Sequence, residues 1–251
     1  MLNCVIHDGP DTAPPLVIAH GLFGSARNWG VIAKRLSKTR QVIAVDMRNH
    51  GQSAHFDTNS YPDMAADLAE VCAAYGTPDL LGHSMGGKAA MTMALIQPDA
   101  LRRLIIADIA PVPYPHTQTD KIDAMEAVEL SAITRRSEAQ AMLADQGIEP
   151  ALQAFFTQSL DISSQKWLYN LPVLRAEMDK IIGFPDLDGS FPGPTLFLSG
   201  EKSNYVQRED RDKIKALFPK ARFAKIPDAG HWLHADKPRE FEATVAAFLG
   251  A

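Results

Sequence analysis

Short apolar runs alternate with segments of helical spacing along most of this chain, and this alternation constrains the fold more than any other feature. Six short segments are candidate strands, and most of them have the continuous apolar character of strands covered on both faces of a sheet. They are residues 16–19, 42–45, 79–81, 104–107, 195–199 and 222–226. The helix-like segments between them are residues 29–36, 61–75, 86–96, 210–218 and 238–249. Such alternation predicts an α/β protein with a mostly parallel central sheet flanked by helices.

The alternation stops between Pro111 and Pro194, where the spacing is helical throughout. The helix-like segments of this stretch are residues 119–130, 137–145, 149–159 and 171–181. We therefore predict a helical cap, residues 111–193, inserted into an α/β core made of residues 1–110 and 194–251. The two ends of the insertion fall beside neighbouring strand ends, where an α/β sheet places its binding site.

Length, charge and cysteine content exclude several classes of protein. A domain of 251 residues buries enough surface to need neither a disulfide nor a structural metal. The net charge of −5 argues against nucleic acid as a partner, because phosphate binding relies on clustered Lys and Arg. The two cysteines, Cys4 and Cys72, have no CxxC spacing and suit a reducing compartment.

Targeting and membrane signals are not apparent in the sequence. Residues 1–10 contain no basic stretch followed by an apolar core, as a secretory signal would. The apolar run at 104–107 ends at Asp108, and no run approaches the roughly 18 residues of a membrane helix. We expect a soluble cytoplasmic protein with no membrane partner, either a monomer or a small homo-oligomer.

Residues 80–87 read Leu-Leu-Gly-His-Ser-Met-Gly-Gly and contain the pattern Gly-x-Ser-x-Gly. The pattern alone is weak, but here it follows a predicted strand and opens a predicted helix directly. So sharp a turn strains the serine backbone and leaves no room for a Cβ at Gly82 or Gly86. It would raise the Ser84 hydroxyl above the sheet edge and aim the Met85 N–H at developing negative charge. The alternative is that Ser84 only caps the helix.

A serine hydroxyl is a weak nucleophile unless a base removes its proton, so a histidine and an acid are expected nearby. His231 follows the last predicted strand and precedes the last helix, where a loop can bring its imidazole over Ser84. His234, one helical turn further on, is the rival base. His83 should point away from its neighbour into packing, and His20 should serve its turn. The other four histidines are expected in surface loops or near the N-terminus: His7, His50, His55 and His116.

Four spaced motifs together resemble the α/β-hydrolase superfamily over nearly the whole chain. They are His-Gly-Leu-Phe-Gly-Ser at 20–25, Asp-Met-Arg-Asn-His-Gly-Gln-Ser at 46–53, the serine motif at 82–86 and Gly-His at 230–231. Residues 108–112 and 200–206 look like those of small bacterial YbfF-type esterases and their mitochondrial abhydrolase relatives. This resemblance implies a hydrolase of short acyl esters, with acyl thioesters as a further option, that uses no cofactor and no metal.

The acid that should orient the base is not where the superfamily usually has it. The common pattern places it three residues after the Gly that ends the fifth predicted strand, and Ser203 stands there in this chain. Asp108 is the preferred substitute, because it ends the strand beside the serine strand, from where a carboxylate could reach the imidazole. Glu201, Asp228 and an incomplete triad remain alternatives.

The same resemblance implies an oxyanion hole made by the backbone N–H groups of Leu22 and Met85. An ordinary strand-to-helix turn is the alternative for the loop that holds Leu22. Phe23 and Trp232 are expected to wall the substrate pocket, although each could equally be core packing. Further cap candidates of the same kind are Phe155, Phe156, Trp167, Leu168 and Tyr169, with Arg135 and Arg136 available to an acidic substrate.

The leading hypothesis is a serine esterase that forms an acyl-enzyme on Ser84, with His231 as base and Asp108 as the orienting acid. The same triad also suits a carbon–carbon hydrolase or a lyase acting on a small metabolite. A catalytically silent binding protein of the same fold is the third possibility, and Ser203 in place of the acid favours it. The expected partner is a small-molecule ester or thioester.

Overall fold

The computed structural model describes residues 1–250 and contains a seven-stranded central sheet. The strands of the chain are β1 (Cys4–His7), β2 (Leu16–Ala19), β3 (Val42–Val45), β4 (Asp79–His83), β5 (Arg103–Ala107), β6 (Leu160–Asp161), β7 (Lys166–Trp167), β8 (Thr195–Gly200) and β9 (Ala221–Ile226). The sheet order is β1-β3-β2-β4-β5-β8-β9, with β1 antiparallel to β3 and all other neighbours parallel. The predicted α/β fold with a mostly parallel sheet is confirmed.

Helices cover both faces of this sheet. They are α1 (Gly30–Leu36), α2 (Tyr61–Ala74), α3 (Met85–Ile96), α4 (Thr119–Glu126), α5 (Arg136–Asp145), α6 (Pro150–Thr157), α7 (Leu171–Ala176), α8 (Met178–Ile182), α9 (Arg211–Leu217), α10 (Leu233–Asp236) and α11 (Pro238–Leu249). Successive residues of a strand point to opposite faces. Val17 and Ala19 therefore join the core under α2 and α3, whereas Leu16 and Ile18 join the core under α1 and α11. Within residues 1–250, no helix combines the length and the hydropathy that a membrane crossing requires.

The secondary structure differs from the prediction in two strand regions. Strand β1 was not predicted, because its central residues Val5 and Ile6 are exposed on the sheet edge and show no apolar alternation. The stretch 111–193 is not helical throughout, since β6 and β7 form a hairpin within it. The Asp161 carboxylate accepts hydrogen bonds from the N–H groups of Ser163 and Ser164, and this local bonding favours a turn over a helix.

Residues 111–193 lie between β5 and β8 and contain α4–α8 together with the hairpin. The far end of this stretch is tied to the core by Lys88, a buried residue of α3. Its ammonium group donates to the carbonyl oxygens of Ile182, at 2.9 Å, and Gly183, at 2.5 Å, at the C-terminal end of α8. Tyr61 donates to the preceding carbonyl, that of Ile181, at 2.6 Å. These bonds satisfy carbonyl groups that have no partner within the helix.

Candidate active site

Ser84 stands on a strained turn between β4 and α3. Its backbone has φ 52° and ψ −118°, a conformation that a residue with a Cβ rarely adopts. The flanking glycines make this possible, because a Cβ on Gly82 would lie 2.4 Å from the Gly86 carbonyl oxygen. A Cβ on Gly86 would lie 2.4 Å from the carbonyl oxygen of His20. The start of α3 is thus packed directly against the end of β2, as the serine motif predicts.

We expect Gly86→Ala to destabilise the fold by about 1–3 kcal/mol, because the added methyl group meets backbone atoms that cannot move aside locally. Gly30→Ala is the matched control. Gly30 begins α1 at φ −52°, and a Cβ there meets no atom within 4 Å. Its expected effect is below about 1 kcal/mol and in the stabilising direction. Urea unfolding of both variants measures the difference, and equal stabilities would contradict the packing argument.

The structure brings Ser84, His231 and Asp108 together. The Ser84 Oγ lies 3.1 Å from His231 Nε2, and His231 Nδ1 lies 2.8 Å from the Asp108 carboxylate. A carboxylate can only accept, so Nδ1 carries the proton of a neutral imidazole and Nε2 is left as an acceptor for the serine hydroxyl. Asp108 has no solvent exposure, whereas the imidazole is partly exposed toward the cleft.

Asp108 follows β5 directly at φ 52°, and its carboxylate accepts from three donors. One oxygen accepts the Gly200 N–H at 3.0 Å, and the other accepts the Ser203 hydroxyl at 2.5 Å besides the imidazole. Ser203, at the position where the superfamily usually has its acid, is therefore a donor to Asp108. These bonds hold the carboxylate in place.

The other two candidate acids, Glu201 and Asp228, make their contacts away from the His231 imidazole. The Glu201 carboxylate accepts the backbone N–H of Asp228 at 3.0 Å. The Asp228 carboxylate is solvent-exposed and pairs with Lys202 at 3.0 Å, which lowers the pKa of Asp228. Of the three carboxylates considered, Asp108 is the one that contacts the imidazole of His231.

Aromatic rings fix the position of the His231 imidazole. The Tyr205 ring stacks on it, with centroids 4.1 Å apart and an angle of 25° between the planes. Behind it, buried His83 donates from Nε2 to the His231 carbonyl oxygen at 2.9 Å. The rival base His234 instead stacks on Trp29 at 4.2 Å, and burial lowers the pKa of His234 to about 3.

The loop that follows β2 passes directly beside the serine. A Cβ on Gly21 would lie 3.1 Å from the Ser84 Cβ, so the backbone there packs closely against the serine. Leu22 is the next residue along. Met85 is the first residue of α3, and its N–H belongs to the helix terminus, where backbone donors have no partner within the helix. Both predicted oxyanion donors therefore belong to backbone that lies beside Ser84.

A cleft of about 140 Å³ opens over Ser84 and His231. Phe23 and Trp232, the two predicted pocket residues, both line it, and Trp232 is 37% exposed at its rim. The apolar walls of the cleft come from Phe23, Phe155, Phe156, Ile181, Ile182 and Trp232. The other cap candidates serve the packing of the insertion: Trp167 and Tyr169 are buried and stack on each other, and Arg136 binds the carbonyl oxygens of Thr157 and Leu160.

Two residues that contact parts of the site were not identified from the sequence. His50 was expected at the surface, but it is fully buried against the loop of Leu22. Tyr205 was not singled out, although it stacks on His231. The position of His50 within the motif at 46–53 was the one available signal. Its partner lies 27 residues away, and sequence spacing does not show such a contact.

A serine raised on a strained turn between a parallel strand and a helix is the arrangement that defines the α/β-hydrolase class. Residues 14–238 match the family described as alpha/beta hydrolase fold, and the chain belongs to that family. The sn-1-specific diacylglycerol lipase ABHD11 of Danio rerio is 40% identical over 256 residues, covering 97% of this chain and 81% of that protein. Esterase YbfF of Escherichia coli K12 is 39% identical over 238 residues, covering 94% and 92% respectively. The solved structure of a marine microorganism esterase is 35% identical with a TM-score of 0.92, covering 99% of this chain and 100% of that one.

Proposed function

We propose that this chain is a serine hydrolase of carboxylic esters that works through an acyl-enzyme. The observation that carries the proposal is the continuous line of contacts from the Ser84 Oγ through the His231 imidazole to the Asp108 carboxylate, at 3.1 and 2.8 Å. Two similar proteins, diacylglycerol lipase ABHD11 and Esterase YbfF, are named for ester hydrolysis and support the same reaction class.

In the first half of the reaction, the Ser84 Oγ attacks the ester carbonyl carbon while His231 Nε2 takes the hydroxyl proton. The carbonyl oxygen becomes an oxyanion, which the N–H groups of Leu22 and Met85 stabilise. Asp108 stabilises the imidazolium that forms. The intermediate then collapses, the bond to the alcohol oxygen breaks, and His231 returns the proton to the leaving alcohol.

In the second half, water takes the place of the alcohol. His231 removes a proton from the water, whose oxygen attacks the acyl carbon of the acyl-enzyme. Collapse of the second intermediate breaks the bond to the Ser84 Oγ, which recovers its proton from the imidazolium. The products are a carboxylic acid and the original enzyme. A thioester differs only in its leaving group, so the same steps apply to it.

The cleft favours a small acyl group. Its volume of about 140 Å³ is below the roughly 300–1,000 Å³ of pockets that hold drug-sized ligands. Its walls are apolar side chains, several of which come from residues 111–193. We propose that this stretch acts as a cap over the site, on a core made of residues 1–110 and 194–251.

A panel of p-nitrophenyl esters, from acetate to palmitate, tests the acyl preference. We expect kcat/KM to be highest for acetate to butyrate and to fall as the chain outgrows the cleft. Matched acetyl-CoA and palmitoyl-CoA thioesters measure whether a thiol leaving group is accepted. Rapid mixing should show a burst of p-nitrophenol equal to the enzyme concentration if deacylation is the slower half. The absence of hydrolysis for every ester in the panel would contradict the proposal.

A further inference from the structure

Two buried histidines hold the loop that carries Leu22. His20 Nε2 accepts the Met47 N–H at 2.9 Å, so the proton of this neutral ring is on Nδ1. His20 Nδ1 then donates to the Gly21 carbonyl oxygen at 2.7 Å. That carbonyl also accepts the Gly24 N–H at 2.9 Å, so its direction is determined by two donors.

The direction of the Gly21 carbonyl determines that of the Leu22 N–H, because the two groups belong to one peptide unit. Residues 1–250 contain no cis peptide bond, and in a trans peptide the N–H points opposite to the carbonyl. With its carbonyl turned toward His20, this unit presents the Leu22 N–H on its opposite side. The orientation of one peptide plane therefore decides whether the oxyanion donor is aimed correctly.

His50 holds the next peptide unit. Its Nδ1 donates to the Arg48 carbonyl oxygen at 2.8 Å, so Nε2 is the acceptor, and it receives the Phe23 N–H at 3.2 Å. Phe23 has φ 59°, a strained value for an aromatic residue, and Tyr169 donates to its carbonyl oxygen at 2.6 Å. The loop is thus held on both sides of Leu22, and part of that support comes from the stretch 111–193.

Burial keeps this acceptor neutral. His50 has no solvent exposure, and its ring lies 5.2 Å from that of His20. Burial, followed by the neighbouring His20, lowers the pKa of His50 to about 3. The Nε2 lone pair is therefore available to the Phe23 N–H over the pH range in which a serine hydrolase works.

We infer that His50 is a positioning residue for the oxyanion hole: by accepting the Phe23 N–H it holds the peptide unit that follows Leu22, and so helps to keep the Leu22 backbone in the conformation that presents its N–H. This inference rests on the proposed function, because it concerns the same oxyanion. A contact made only for packing would require a ring of this size at position 50 but no acceptor atom. The two roles are therefore separable by substitution.

His50→Phe keeps a buried ring and removes the acceptor, whereas His50→Gln brings an amide oxygen to about the place of Nε2. We expect His50→Phe to lower kcat by about 10- to 100-fold with KM within about threefold, because a displaced oxyanion donor weakens transition-state binding. His50→Gln should recover most of the lost kcat. The Ki of a trifluoromethyl ketone, whose adduct carries an oxyanion, should rise in proportion to the loss of kcat/KM.

Two control variants distinguish an effect of His50 on the oxyanion hole from a general loss of protein stability. His55→Phe makes the same replacement at an exposed position of the same loop and should leave kcat unchanged. Tyr169→Phe removes the hydroxyl bond to the Phe23 carbonyl oxygen and should lower kcat by a smaller factor. Unchanged kcat in Tyr169→Phe would show that the loop does not need such support, whether or not His50→Phe folds, and would overturn the inference. Equal losses in His50→Phe and His50→Gln, or full activity in His50→Phe, would overturn the inference. If Ser84→Ala still abolishes turnover in that case, the proposed function stands without it.

Discussion

Replacing Ser84 with alanine is expected to lower kcat for ester hydrolysis by about a million-fold, the scale seen when a catalytic serine is removed. The reason is that, among residues 1–250, the Ser84 Oγ is the oxygen within hydrogen-bonding distance of His231 Nε2, at 3.1 Å, and it alone is placed to receive the acyl group. A fluorophosphonate probe should label the native chain at Ser84 and should leave the Ser84→Ala variant unlabelled. The thermal midpoints of the two proteins should be similar, because the substitution deletes only one oxygen at the floor of the cleft.

Labelling at Ser84 would also exclude the hypothesis of a catalytically silent binding protein. A binding protein with the same fold but without a functional base would have a weakly nucleophilic serine hydroxyl. It would react with the probe slowly or not at all. Labelling at a different serine in the native chain, with full activity in Ser84→Ala, would show that the nucleophile had been misassigned. Mass spectrometry of the labelled peptide identifies the residue directly.

Asp108→Asn is expected to lower kcat by about ten-thousand-fold while leaving the fold intact. The amide can donate to His231 Nδ1, which would move the imidazole proton to Nε2, where it faces the Ser84 hydroxyl. The base would then be unable to accept the serine proton. Steady-state kinetics measures the loss, and circular dichroism checks that the sheet is unchanged.

Glu201→Gln and Asp228→Asn are the matched controls for this prediction. Both carboxylates lie in the loops after β8 and β9, and both contact groups other than the imidazole. Each variant should retain activity within about twofold, since exposed charges of this kind contribute little. Near-normal turnover in Asp108→Asn together with a large loss in Glu201→Gln would assign the acid to Glu201.

The sequence predicted the elements of the sheet where burial is complete. The runs at 16–19 and 42–45 match β2 and β3 to the residue, because four consecutive apolar residues are required of a strand covered on both faces. Strand β1 was missed because an edge strand has no such requirement. The segment at 171–181 was expected as one helix but is divided at Glu177 into α7 and α8.

The sequence predicted the part of the site in which one short motif contains both the reactive side chain and the residues that shape its backbone. The serine motif includes both the proposed nucleophile, Ser84, and the glycines that allow its turn. The choice of Asp108 over Glu201 rested on strand order, and the structure places Asp108 against His231 as that order suggested. The contacts of His50 and Tyr205 could not be predicted, because they depend on how loops far apart in the chain pack against each other.

The positions of Ser84 and Asp108 follow from the pairing of β4 with β5. The last pair in that ladder is His83 with Ala107, so the serine and the aspartate are the next residues on two hydrogen-bonded strands. Backbone pairing sets the distance between Ser84 and Asp108. His231, in contrast, lies on a loop near the other end of the chain, between β9 and α10. Mild heat or denaturant that loosens this loop would therefore separate the base from two partners that stay in register. Inactivation of this protein would then begin before its sheet starts to melt.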